Sequence, residues 1–265
     1  MSPSTRHSTG SGPSKRSTSE GGGRGPVSQK ESAGTLLRSD AAASEALVRD
    51  LFEPTVRIGI APVRDELADL SAAERALVEG AVRTRKNEFA TGRRLAHRLL
   101  AELGVAAGPI LRDADRVPIW PEGIVGSISH SRTLAVAALA RAAHGSGIGI
   151  DIEPDVAVRD GVERVVCTPF EQTWLDSAPS ITPSDPDPRS DRARWVKLFF
   201  SAKESVYKAF FPRIRVFWGF HEVELEIDPV AGRFDASLPA SADRQRITGR
   251  FARKDGVIVS GVLVD

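Results

Sequence analysis

Gly149-Ile150-Asp151-Ile152-Glu153-Pro154, answered downstream by Phe200-Ser201-Ala202-Lys203-Glu204-Ser205-Val206-Tyr207-Lys208-Ala209, is the pair of stretches on which the reading of this chain turns. Alternate side chains of a β-strand leave opposite faces, so Asp151 and Glu153 project together while Ile148, Ile150 and Ile152 fill the other side. Glu204 and Lys208 stand four apart in a helical pattern and share one side of a helix. Paired acids at a strand end are commonly just solvated. Here the isoleucines put that end near a core, where crowded like charges need a cation or a donor to compensate them. Three carboxylates with neighbouring ammonium groups suit a magnesium ion holding a phosphate ester, because magnesium takes oxygen ligands and keeps waters and phosphates in the rest of its shell.

The second stretch lies in the best-defined helix, expected over 193–211. Trp195, Leu198, Phe199, Ala202, Val206, Ala209 and Phe210 fall on one stripe at 3.6 residues per turn and must face a core. Lys197, Ser201, Glu204 and Lys208 fall opposite, and Pro212 is expected to close the helix. Upstream, residues 71–103 read as one helical run ending at Gly104. Arg83, Arg85, Lys86, Arg93, Arg94 and Arg98 stud its surface, and the plain alternative for such a run is a solvated face. The runs 124–130, 134–140 and 147–152 predict a small antiparallel meander, with 112–116 a turn before it. Residues 162–177 look helical, 178–191 form a proline-rich loop, and 223–227, 246–253 and 257–264 predict further antiparallel strands. Helices followed by a meander thus occur twice, which points to an α+β fold of two similar α/β lobes.

The chain has 265 residues, 41% of them hydrophobic, enough for one large core or two smaller ones. With 36 Lys plus Arg against 35 Asp plus Glu, the formal charge of +1 predicts neither a nucleic-acid partner nor attraction to a membrane surface. Any basic site must be local. Cys167 is the only cysteine, which excludes an internal disulfide and fits a reducing, cytoplasmic compartment. Residues 1–44 are rich in Ser, Gly and Arg and are expected to be a disordered tail, since they show neither the amphipathic period of a transit peptide nor a secretory apolar core. No run approaches the roughly 18 apolar residues of a membrane span.

His130, in Gly126-Ser127-Ile128-Ser129-His130-Ser131, reads in isolation as a structural histidine. Yet Ser129, His130 and Ser131 at a strand end offer several donors, which a phosphate monoester requires. Gly145-Ser146-Gly147-Ile148-Gly149 precedes a strand and lacks the Lys-Ser/Thr ending of a phosphate loop, so it reads as a turn.

Gly149-Ile150-Asp151-Ile152-Glu153 together with Lys203-Glu204-Ser205 and Lys208 resembles the paired signature of the 4'-phosphopantetheinyl transferase superfamily. Arg85-Lys86-Asn87-Glu88-Phe89, Gly92-Arg93, Trp120-Pro121 and Gly126-Ser127-Ile128-Ser129-His130 resemble its enterobactin-synthetase component D branch, with the motifs in the family's order over roughly residues 80–220. The resemblance implies an enzyme that moves the phosphopantetheine arm of coenzyme A onto a serine of an apo acyl or peptidyl carrier protein, releasing adenosine 3',5'-bisphosphate. It implies two lobes related by a pseudo-twofold, 45–150 with the nucleotide phosphate grip and 151–265 with the catalytic residues, in a monomer. It makes Asp151, Glu153 and Glu204 the magnesium ligands. By the same resemblance Arg85, Arg93, Arg112, Ser129 and His130 would hold the nucleotide's phosphates, while Lys203 and Lys208 would lie near the pyrophosphate and assist Glu204 in catalysis. The branch often has lysine where this chain has Arg112, a swap that keeps charge but changes donor geometry.

Two other readings stay open on the residues alone: a non-catalytic module that binds coenzyme A or a carrier, and a magnesium-dependent nucleotide hydrolase. Siderophore (enterobactin), polyketide, nonribosomal peptide and fatty-acid carriers are equally open, with Phe217, Trp218 and the prolines of 178–191 as candidate docking residues.

Overall fold

The computed structural model describes residues 47–106, 108–181, 187–242 and 245–265. The tail expected over 1–44 lies outside the described residues. The chain forms two antiparallel sheets with a long helix laid on the outer face of each. β1 (Arg57–Pro62), β2 (Ile124–His130) and β3 (Leu134–Arg141) make a three-stranded sheet in the order β1-β3-β2. β4 (Gly147–Pro154) joins β5 (Glu224–Asp228), β6 (Arg233–Ser237), β7 (Arg246–Lys254) and β8 (Val257–Val264) in the order β4-β8-β7-β6-β5. The helices are α1 (Ala72–Ala76), α2 (Arg83–Glu102), α3 (Val162–Val166), α4 (Pro169–Leu175) and α5 (Pro188–Ile214).

The expected meander over 124–152 is therefore split between sheets. β2 and β3 pair as a hairpin, but β4 pairs with β8 near the chain's end, Asp151 opposite Ser260. The reason lies in β3, whose residues 134–140 are all buried because both faces are covered. Ala135, Ala137 and Leu139 meet Leu95, Ala96, Leu99 and Leu100 of α2. Leu134, Val136, Ala138 and Ala140 join Ile148, Ile150, Ile152, Val257 and Val259 in a core shared by the two sheets. β2 and β4 meet there through side chains, the Ser127 hydroxyl accepting from the Ile150 N–H at 3.2 Å.

The isoleucine face of β4 being spent on that core, its other face meets α5. Contact is close because Gly147 and Gly149 carry no side chain: a Cβ on Gly149 would lie 1.8 Å from the Ser205 carbonyl oxygen. The apolar stripe of α5, from Trp195 at 5% exposure to Phe210 at 0%, packs on β5 to β8 as its period predicts.

Helix boundaries differ from expectation at several points. α5 begins at Pro188, within the loop expected over 178–191, of which 182–186 lie outside the described residues. The run 71–103, which starts at a Ser71–Glu74 capping box, is broken between α1 and α2, where Gly80 weakens the helix and Arg112 donates to the freed Leu77 carbonyl at 3.1 Å. The run 162–177 is broken at Thr168, which precedes Pro169 and caps α4 through Glu171. Pro212 does not close α5. Losing one N–H leaves the next turn able to form, and the helix ends at Arg215, left-handed at φ 54°, whose N–H still reaches the Phe211 carbonyl. Gly104 ends α2 as expected, at φ 69°. Among the described residues no helix is long and apolar enough to cross a membrane.

Candidate active site

β4 ends beside α5, and that junction gathers the charged residues. Asp151 is 4% exposed, and its Oδ1 accepts from Lys208 Nζ at 2.6 Å and from the Ser129 hydroxyl at 2.8 Å. Lys208 Nζ also donates to Ser129 Oγ at 3.0 Å, so strand β2, strand β4 and helix α5 are tied at one point. The other oxygen, Oδ2, is buried and has no partner. Glu153 accepts from Lys197 Nζ at 3.1 Å. Burial, with Asp151 beside it, raises the pKa of Glu153 against the opposing pull of Lys197. Burial likewise raises Glu204, Lys208 opposing, with Asp151 and Glu153 adding to the rise.

Asp151, Glu153 and Glu204 thus lie within electrostatic reach of one another, as the sequence pattern predicts. As placed, however, no group of three His, Cys, Asp or Glu residues among those described stands ready to clasp an ion. Lys208 occupies the cationic position on Asp151. The donor set still fits a divalent cation: Glu153 and Glu204, both destabilised in their charged form, beside the orphaned buried oxygen of Asp151 are the condition a bound cation relieves.

The basic residues lie on α2 and the segment that follows it. Arg93 of α2 is 5% exposed, reaches the Leu111 carbonyl only at 3.5 Å, covers the Phe89 ring at 4.7 Å and leaves its Nε without a partner. Burial lowers its pKa to about 10; Glu74 opposes this, and Arg112 and Arg85 push further down. Three guanidinium groups therefore repel one another in a half-closed site, an arrangement suited to a polyanion. Arg85 touches His130, and Glu88 stands 3.4 Å from His130 Nδ1. His130 joins the two clusters. Burial and Arg85 lower its pKa and Glu88 opposes, while Lys208 and Asp151 act on it from the other side. Of the remaining α2 cations, Arg83, Arg94 and Arg98 make surface ion pairs with Asp65, Glu66 and Glu102, the solvated face of the plain alternative.

Lys203 departs from what the resemblance implies. It is 2% exposed and gives its three donors to Glu171 Oε2 (2.7 Å), the Val166 carbonyl (2.8 Å) and the Phe220 carbonyl (2.7 Å). One residue's rotation on α5 moves a side chain by about 100°, so neighbours in the motif serve different surfaces. Lys197 is the reverse case. It sits two turns before Glu204 on the same stripe, and that stripe was the signal for its contact with Glu153. Trp218, a candidate docking residue, is 5% exposed and belongs to the core, whereas Phe217 is 75% exposed.

Two openings flank the junction. One, of about 340 Å³, runs between β2 and α5 past Ser127, Ile128, Tyr207, Lys208 and Phe211. The other, of about 120 Å³, lies beyond Glu204 and Tyr207 against Phe217, Trp218 and Phe220.

A family model described as the 4'-phosphopantetheinyl transferase N-terminal domain matches residues 73–140, and one described as the 4'-phosphopantetheinyl transferase superfamily matches residues 147–237. The chain is 38% identical to 4'-phosphopantetheinyl transferase Svp of Streptomyces mobaraensis over 76% of this chain and 80% of that one. It is 30% identical to 4'-phosphopantetheinyl transferase PptT of Mycobacterium tuberculosis, over 72% of this chain and 84% of the relative. Enterobactin synthase component D of Salmonella typhimurium is 38% identical over 52% of this chain and 53% of its own. The chain belongs to the 4'-phosphopantetheinyl transferase superfamily and is a transferase, and one of the two clusters lies on each matched segment.

Proposed function

We propose that this transferase moves the phosphopantetheine arm of coenzyme A onto a serine of an apo acyl or peptidyl carrier protein. The observation that supports it is the pairing of a crowded carboxylate set at Asp151, with its orphaned oxygen, and the buried, under-paired Arg93 with Arg85 and Arg112 beside it, joined through His130. Arg85, Arg93, Arg112 and His130 grip the 3'-phosphate. The opening between β2 and α5 takes the nucleoside, and the smaller apolar opening beyond Glu204 takes the thiol-tipped arm. Asp151, Glu153 and Glu204 would hold a magnesium ion, which when bound supplies positive charge against the pyrophosphate. Glu204, made more basic by its surroundings, accepts the proton of the carrier serine as its oxygen attacks the phosphorus next to the pantetheine. The bond from that phosphorus to the bridging oxygen breaks, and the electron pair leaves with adenosine 3',5'-bisphosphate. Lys208, released from Asp151, and Ser129 offset the charge on the leaving oxygen. This reading takes 45–150 and 151–265 as pseudo-twofold halves of one working monomer in the cytoplasm.

Incubating the protein with coenzyme A, magnesium and an apo carrier, then weighing the carrier, tests it. Gain of one phosphopantetheine group is expected. Bisphosphate released without a carrier identifies a hydrolase, and binding without turnover a non-catalytic module.

A further inference from the structure

Lys203 is the one charged residue of the long motif that the transfer step leaves without a task. Its ammonium is enclosed by α3, which presents the Val166 carbonyl, by α4, which presents Glu171, and by the turn after Trp218, which presents the Phe220 carbonyl. Glu171 is as fully engaged. Its Oε1 accepts from the Leu225 N–H at 2.7 Å, and its Oε2 accepts from the Thr168 N–H at 2.8 Å as well as from Lys203. Both side chains are at most 2% exposed. An ammonium has three donors, and all three are used inside the protein. None remains for a phosphate. Phe220, whose carbonyl this ammonium holds, lines the small opening with Phe217, Trp218 and Glu204.

We propose that Lys203 is a positioning residue: paired with Glu171, it pins the 217–220 wall and the α3–α4 segment to the helix that carries Glu204, and it does not touch the pyrophosphate. The carboxylate one residue later is thereby held at a set distance from the wall of the arm's opening. A misplacement of about 1 Å at such a wall lowers turnover roughly a hundredfold while leaving the distant phosphate grip intact. The kinetic arm of the test rests on the transferase reading; the labelling arm does not.

Lys203→Met is expected to lower kcat about a hundredfold with KM for coenzyme A changed by no more than about threefold, and Glu171→Gln, which touches no ligand, to show the same split. Lys203→Met/Glu171→Gln removes both charges and keeps an acceptor for one of the two backbone N–H groups, and should recover about tenfold over Lys203→Met alone. A rise in KM with kcat kept, or a double variant no better than the single, overturns the proposal. If the variants do not fold, reductive methylation of the wild-type protein read by mass spectrometry decides it. Lys203 should label about tenfold more slowly than the partly exposed Lys208, with or without coenzyme A. Labelling of Lys203 at the rate of Lys208 in the free protein, with protection by coenzyme A, overturns it equally. Should the wild-type transfer nothing to any carrier, the labelling result alone decides.

Discussion

The arginine cluster around Arg93 and the carboxylate cluster around Asp151 are both crowded with like charge, yet the first is left under-paired while the second has cations of its own. Arg93 has a carbonyl at 3.5 Å and a bare Nε, whereas Asp151 has Lys208 at 2.6 Å and Glu153 has Lys197 at 3.1 Å. The difference teaches what each side awaits. Glu74 and Glu88 offset only part of the positive charge that Arg85 and Arg112 place around Arg93, so under the proposed reading the basic side awaits an anion. On the acidic side, the same reading has one cation give way to another, which suits that side to exchange and catalysis.

If the acidic side performs the chemistry, Glu204→Gln should cost the most. It removes the proton acceptor and one ligand, and transfer to an apo carrier should fall about 10²- to 10⁴-fold, read from the carrier's mass over time. Near-wild-type transfer would break the comparison outright. Arg93→Ala comes next. Losing one charge-assisted phosphate contact removes about 1.5–3 kcal/mol of coenzyme A binding, roughly ten- to a hundredfold, and should leave 3'-dephospho-coenzyme A little affected in calorimetry. Equal losses for both ligands would move the 3'-phosphate elsewhere. Gly149→Ala sharpens the contrast by acting on one side only. Its new Cβ would stand 1.8 Å from the Ser205 carbonyl oxygen and 2.7 Å from the Ala209 nitrogen, backbone atoms that cannot swing aside. A stability loss of about 1–3 kcal/mol in urea unfolding is expected, with activity falling more than coenzyme A affinity.

The acidic side was the more legible in the sequence, for a geometric reason. Asp151 and Glu153 are placed by a period of two, and Glu204 and Lys208 by a period near four, and both are local rules. The stripe of α5 was legible for the same cause. The partner of β4 was not, because Gly147–Pro154 pairs with Val257–Val264 a hundred residues away, and nothing local encodes that choice. β1 and β6 also escaped: Arg57–Pro62 is short and ends in proline, and Arg233–Ser237 has only Phe234 and Ala236 to mark its inner face. On the basic side the motif named Arg85, Arg93, Arg112 and His130, but only packing separates them from Arg83, Arg94 and Arg98, which carry the same charge on the solvated face. The partners of Lys203 were illegible for a related reason. Adjacent motif letters look like one site, whereas on a helix they serve surfaces about 100° apart.

His130, where the two clusters meet, offers the finest test. Burial and the nearby Arg85 hold its pKa below the ordinary value of about 6.5, Glu88 and Asp151 only partly opposing. In the ligand-free protein it therefore contributes stability that is fully present above about pH 6.5 and is lost as the pH falls through the lowered folded value. A phosphate beside the ring reverses the sign by favouring the imidazolium. Binding of coenzyme A near pH 6 should then draw up a fraction of a proton, an uptake that vanishes well above pH 7. Calorimetry in buffers of different ionisation enthalpy reads that number directly. His130→Gln should abolish the uptake while weakening binding only a few-fold, since the arginines remain. An unchanged uptake in the variant would place the anion away from His130 and leave the arginine cluster and the carboxylates as separate sites.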